Sequence, residues 1–92
     1  MLFFATNYLG IAGLESIRNC GLCIPQELAV ICFDDRDIFR LHTPAITCIR
    51  QPIGEIGKNA VHMLVSQIEG KKAKQKINRL LLAAKLIFRK ST

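Results

Sequence analysis

Apolar residues fall along this chain in two kinds of block, short continuous runs and longer stretches at helical spacing. Leu2-Phe3-Phe4-Ala5 is a continuous run of the kind that forms a buried strand. Thr6-Asn7 follows as a strand end feeding a helix from near Tyr8, with Asn7 suited to cap it. That helix carries Leu9, Ala12, Gly13, Ser16 and Ile17 on one side, and Gly10, Ala12 and Gly13 permit close approach of another backbone. Gly21 is a helix stop, and Pro25 reinforces the break. Leu28-Ala29-Val30-Ile31-Cys32-Phe33 is the clearest strand, apolar throughout, as a central parallel strand covered on both faces requires. It ends abruptly at Asp34-Asp35-Arg36-Asp37, and a loop containing Phe39, His42 and Pro44 is expected next. Ile46-Thr47-Cys48-Ile49 reads as a third strand closed by Pro52. Ile53, Ile56, Ala60, Leu64 and Ile68 then mark a helix that Gly70 ends, with His62 off the stripe as a surface or packing residue. Ile77 to Leu82 and Lys85 to Phe88 predict one or two terminal strands. The order β-α-β-β-α-β(-β), without internal repeats, predicts an α/β fold with a largely parallel sheet flanked by helices.

Composition narrows the class. A length of 92 residues allows one ordinary domain at most, and 50% hydrophobic with 22% charged residues is a globular balance. The apolar runs Met1–Ala5, Leu80–Ala84 and Leu86–Phe88 fall far short of the roughly 20 residues that span a bilayer. No basic segment precedes a long apolar one, so a secretory leader is not expected and a cytoplasmic setting is. The charge of +6 is uneven: residues 1–57 carry −2 and residues 58–92 carry +8. Lys71, Lys72, Lys74 and Lys76 follow a helix end and read as a solvated turn; no aromatic interleaves with them to stack on bases. Cys20, Cys23, Cys32 and Cys48 are expected as free thiols. Cys20 and Cys23 have the C-x-x-C spacing of zinc or redox sites, but no second pair follows and His42 and His62 lack ligand spacing, so no metal or cofactor is implied.

Ligands of open parallel sheets bind beyond the carboxyl ends of the strands. Asn7 lies beyond the first strand, and Asp34 and Asp35 beyond the second. Asn offers donor and acceptor, and each carboxylate accepts from two hydroxyls, a set suited to a neutral polyhydroxyl ligand. Two bland readings stand beside it: Asn7 as a helix cap, and the aspartates as the start of a turn. Paired aspartates also serve acid–base or magnesium chemistry, but the chain has no phosphate-binding glycine loop, and Ser16 and Ser66 sit within expected helices without a base nearby. An enzyme is therefore not expected.

Four stretches, in order, resemble the lactose-repressor (LacI/GalR) family of bacterial transcription regulators. They are Phe4-Ala5-Thr6-Asn7 before a glycine-containing helix; Gly21-Leu22-Cys23-Ile24-Pro25 followed by the run from Leu28 to Asp35; Thr43-Pro44-Ala45-Ile46-Thr47-Cys48-Ile49-Arg50-Gln51-Pro52; and Leu86-Ile87-Phe88-Arg89-Lys90-Ser91-Thr92. The resemblance implies the C-terminal part of a sensor domain similar to periplasmic sugar-binding proteins, in which two subdomains linked by three crossovers clasp a small effector. It implies that residues 1–48 are a portion of the C-terminal subdomain, residues 49–53 a crossover, and residues 54–92 a portion of the N-terminal subdomain and the closing strands. Asn7 and Asp34 then match effector-contacting positions, Gln51 on the crossover faces the cleft, and no catalytic residue is implied. Tyr8, Ile11, Glu15 and Phe39 fall on the homodimer interface of the parent protein. DNA contact belongs to a helix-turn-helix module that these residues do not include, and no membrane contact is implied. Cys32 stands where the family usually has Gly, and Lys90 where Glu is frequent.

The leading expectation is therefore a truncated sensor domain for a sugar-like effector. Three alternatives remain: part of a periplasmic sugar-binding transport protein, an interaction module docking on full-length repressors, and an independent nucleic-acid binder through the basic half.

Overall fold

β1 (Leu2–Phe4), β2 (Val30–Phe33) and β3 (Thr47–Arg50) run parallel, in that spatial order, and β4 (Lys85–Ile87) adds antiparallel to β3. The structure is a computed structural model that describes residues 1–70 and 79–92. Within them the helices are α1 (Asn7–Asn19), α2 (Asp37–Leu41) and α3 (Ile53–Ile68). The chain divides into two compact units, Met1–Gln51 with Ala84–Thr92, and Pro52–Ala83.

The first unit holds the sheet. Phe3 pairs with Ile31, and Ile31 with Thr47. Val30, Cys32, Ile46 and Cys48 are fully buried and join Leu14, Ile17 and Phe39 in one core, with Phe4, Ile24 and Leu28 packed against it. β2 is paired on both sides, with Val30 and Cys32 buried on one face and Ile31 and Phe33 half-buried on the other. α1 crosses this surface through its glycines. A Cβ at Gly13 would meet the Phe4 ring at 2.1 Å, and one at Gly10 would meet Cys32 Sγ at 2.8 Å and Phe39 Cζ at 3.0 Å. The small residues thus admit side chains of the sheet and of α2. The Cys32 thiol is seated on Gly10.

Four expectations are corrected. The cap of α1 is Thr6, whose Oγ1 accepts from the Leu9 amide at 3.2 Å; Asn7 is the first helical residue. A hydroxyl one residue earlier already satisfies a first-turn amide, so Asn7 is not needed as the cap. The segment after Asp35 is a short helix, not a loop: Phe39 drops into the core and draws one turn of backbone with it. Phe39 is accordingly no surface residue. Among the described residues the terminal strand is Lys85–Ile87, without Phe88, and residues 79–84 form none; Ile77, Asn78 and the lysines at 71, 72, 74 and 76 lie outside the described residues.

A polar seam holds the tail to the sheet. Ser91 is fully buried; its Oγ accepts from the Thr47 amide at 2.7 Å and donates to the Val30 carbonyl at 2.6 Å. Its own amide donates to the Ala45 carbonyl, and its carbonyl accepts from the Val30 amide, each at 3.0 Å. Buried Thr47 accepts from the Arg89 amide at 3.0 Å, and its hydroxyl lies 2.8 Å from that of Thr92. Backbone groups that the short strands leave unpaired are satisfied here, as burial demands.

In the second unit, α3 starts after Pro52 and is closed by Glu69 and left-handed Gly70, φ 66°. Among the described residues, no helix is long and apolar enough to cross a membrane.

Candidate functional site at the carboxyl edge of the sheet

Parallel β1, β2 and β3 deliver their carboxyl ends to one edge, and the residues that leave it are Asn7, Asp34-Asp35 and Arg50-Gln51. Asn7 is half-buried at the start of α1. Asp34 leaves β2 in the left-handed region, φ 71°, where a non-glycine backbone costs about 1 kcal/mol, less for Asp than for most residues. Two contacts hold it: its amide donates to the Ile49 carbonyl at 2.9 Å, and Gln51 Nε2 donates to its Oδ1 at 2.5 Å. The structure therefore brings Asp34 and Gln51 into contact and sets Asn7 on the same edge.

The neighbouring aspartate does something else. Asp35, whose side chain is 8% exposed, accepts from Arg89 on both oxygens, at 2.8 and 2.9 Å. Its Oδ2 also accepts from Arg50 Nε at 3.1 Å and Nη2 at 2.7 Å. Hydrogen bonds from Arg89, opposed by burial and reinforced by Arg50, hold its carboxyl below the ordinary aspartate value. The same partnership raises Arg89. Asp34 and Asp35 thus have different partners: one carboxylate is bonded to Gln51 and the other is held by two cations. Arg89 and Arg50 were not singled out as site residues by pattern alone. The available signal was a cation closing the apolar run Leu86-Ile87-Phe88, and another ending the third strand.

Two of the cysteines lie beneath this edge, and Cys48 Sγ is 3.8 Å from Arg89 Nη1. Cys32 and Cys48 face each other in register on β2 and β3 and are fully buried. Burial pushes their thiols up to about 12 and about 11, which keeps them protonated and unreactive. Cys20 and Cys23 are exposed and free. Among the described residues no group of three or more His, Cys, Asp or Glu is placed to hold a metal ion.

On α1, Tyr8, Ile11 and Glu15 share one exposed face at helical spacing, and Ile38 and Leu41 of α2 are exposed as well. Phe39, expected with the first three, lies beneath Gly10 in the core.

Residues 2–92 match the model of the periplasmic binding protein-like domain. The HTH-type transcriptional regulator KdgR of Bacillus subtilis is 39% identical over 79 residues, 85% of this chain and 22% of that protein. The HTH-type transcriptional repressor CytR of Escherichia coli is 31% identical over 91 residues, 99% of this chain and 26% of that one. Among solved structures, the transcriptional regulator CelR in complex with cellobiose superposes with a TM-score of 0.88 at 30% identity, covering 98% of this chain and 27% of that one. The chain spans about a quarter of the length of the curated relatives it matches.

Proposed function

We propose, for a chain that belongs to the periplasmic binding protein-like domain family, that it forms part of the effector sensor of a LacI-type transcription regulator. In this reading a neutral polyhydroxyl effector, a sugar or sugar derivative, is held at Asn7, Asp34 and Gln51. The observation that carries it is Asp34: a half-buried carboxylate at the carboxyl end of a parallel strand, in a left-handed backbone, with one oxygen bonded to Gln51. Among the described residues nothing donates to its second oxygen. A carboxylate acceptor beside amide groups that both donate and accept matches sugar hydroxyls, which do both. The cellobiose in the related CelR complex supports the same ligand chemistry.

The regulator reading also sets the architecture. Residues 1–48 belong to a C-terminal subdomain to which residues 84–92 return, residues 49–53 form a crossover, and α3 belongs to the N-terminal subdomain. Tyr8, Ile11 and Glu15, with Ile38 and Leu41 in place of Phe39, form the face that meets a second copy in the parent regulator. The setting is the cytoplasm, and DNA is reached through a separate helix-turn-helix module.

Two or three solvent-accessible hydrogen bonds contribute roughly 0.5–1.5 kcal/mol each, so one wall of a cleft binds sugar at about millimolar strength or weaker. The test is a chemical-shift titration of the ¹⁵N-labelled chain with cellobiose and a panel of neutral mono- and disaccharides. The side-chain amides of Asn7 and Gln51 should move together, and Asp34→Ala should abolish the response. Perturbations absent from this edge for every sugar, or unchanged in Asp34→Ala, would remove the sugar reading.

A further inference from the structure

We propose that Asp35 is a positioning residue for the binding edge: with Arg89 and Arg50 it forms a clamp that places the Gln51 amide on Asp34. The inference rests on the reading of Asp34 and Gln51 as the ligand-facing pair. Asp35 directly follows Asp34, and Arg50 directly precedes Gln51. The Asp35–Arg50 contacts, 2.7 and 3.1 Å, therefore tie together the two backbone positions from which the Asp34–Gln51 hydrogen bond springs. Arg89 gives this tie a fixed base. Its guanidinium grips both oxygens of Asp35, donates to the Ile46 carbonyl at 3.0 Å, and is only 12% exposed. Its backbone is in turn held by Thr47, and the buried Ser91 anchors the segment two residues on.

Geometry explains why a carboxylate is needed at position 35. Two planar guanidinium groups with four donor contacts fix a carboxylate in both position and plane. An amide has one acceptor oxygen and cannot receive both cations in this arrangement. Once the Arg50 side chain is released, the backbone before Gln51 keeps its pairing with Lys85 and its bond from the Asp34 amide, but the side-chain tie between positions 35 and 50 is gone. The left-handed turn at Asp34 then has one restraint fewer against relaxing to an ordinary backbone.

The test reads the Gln51 side-chain NH₂ pair by ¹⁵N–¹H spectroscopy in the full 92-residue chain, without ligand. The variants are Asp35→Asn and Arg50→Met, with Arg40→Met as a control that removes the exposed Arg40–Asp37 pair. In the parent chain the pair should lie away from the free-glutamine position and exchange slowly with solvent. In Asp35→Asn and Arg50→Met it should collapse to the free position and lose its protection, while the amides of Gly10, Leu14 and Ile17 stay in place. Arg50→Lys should restore part of the displacement, and Arg40→Met should leave it intact. Arg50 is 54% exposed, so Arg50→Met decides the matter if Asp35→Asn fails to fold. An unmoved Gln51 pair in a folded Arg50→Met, or a free-glutamine pair in the parent chain, would overturn the proposal. Because no sugar is present, failure of every sugar to bind would sink the ligand reading and leave this result standing.

Discussion

α1 and α3 make an instructive pair. α3 is the longer, 16 residues against 13, and its apolar positions recur at helical spacing from Ile53 to Ile68. Yet among the described residues it buries none, and Ile53, Ile56, Val61, Leu64, Val65 and Ile68 are exposed. α1 is interrupted by two glycines and buries Gly10, Leu14 and Ile17. An apolar stripe offers a face for burial, but burial needs a surface of matching shape. Phe4, Cys32 and Phe39 supply that surface to α1, and the glycines are the sockets they enter. Polar groups show the same contrast. The first unit holds a buried network of Asp35, Arg89, Thr47 and Ser91 in which every member has partners, whereas the ion pair of Arg40 and Asp37 stands in solvent.

The network is the place where the largest effect is expected. Arg89→Met removes two of the four donors on Asp35 and leaves the carboxylate to the half-exposed Arg50, so the loss should be about 2–3 kcal/mol, the scale of hydrogen bonds to a charged group. The urea midpoint of Arg89→Met should fall by far more than that of Arg40→Met, which should change by less than about 0.5 kcal/mol. Equal effects would erase the distinction between the two ion pairs.

The glycines sharpen the comparison of helices by sign. Gly13→Ala places a Cβ 2.1 Å from the Phe4 ring and should destabilise by about 1–3 kcal/mol, read by urea unfolding. Gly57→Ala has nothing within 4 Å and should instead favour α3 by about 0.5–1 kcal/mol, read as slower amide exchange within that helix. A destabilising Gly57→Ala would mean that α3 is covered where it stands open here.

Acid should act on the network in a defined direction. Arg89 and Arg50 lower the folded-state value of Asp35 below that of the unfolded chain, about 3.9. The stabilisation is thus fully present above that unfolded value and is lost as pH falls through the lower folded one. Urea midpoints taken from pH 6 downward, in steps of about half a unit, should show a loss below roughly pH 4 that Asp35→Asn lacks. A small effect on stability is expected at Asp34. Asp34→Gly removes the left-handed backbone cost and the Gln51 contact together, so stability should move by no more than about 1 kcal/mol while any sugar response disappears.

Thiol labelling checks that the solution fold has the same interior. Cys20 and Cys23 should react with an aromatic disulfide in the native chain, whereas Cys32 and Cys48 should react only after unfolding, being fully buried with thiols pushed up to about 12 and about 11.

The residue pattern by itself determined the alternation of strands and helices, because strands read as short apolar runs and surface helices as periodic ones, but it did not determine burial: β1, expected as a buried strand, has Leu2 and Phe3 exposed. It also determined that Asn7 and Asp34 follow strand ends, since polar residues can follow a buried run only where the chain emerges, whereas Gln51 entered only with the family resemblance. Pattern could not show that Thr6 caps α1, that a turn of helix follows Asp35, or that Phe39 belongs to the core. Each depends on a neighbour distant in sequence or on a competition between adjacent polar groups. Nor could it separate Asp34 from Asp35, two identical side chains in succession. Tertiary structure decided that. The tail returns 54 residues later to set Arg89 against one carboxylate, while the backbone at Asp34 turns left-handed and presents the other to the edge of the sheet. Local preference acts over a few residues, and a charge is assigned its task by whichever partner the completed fold brings within hydrogen-bond reach.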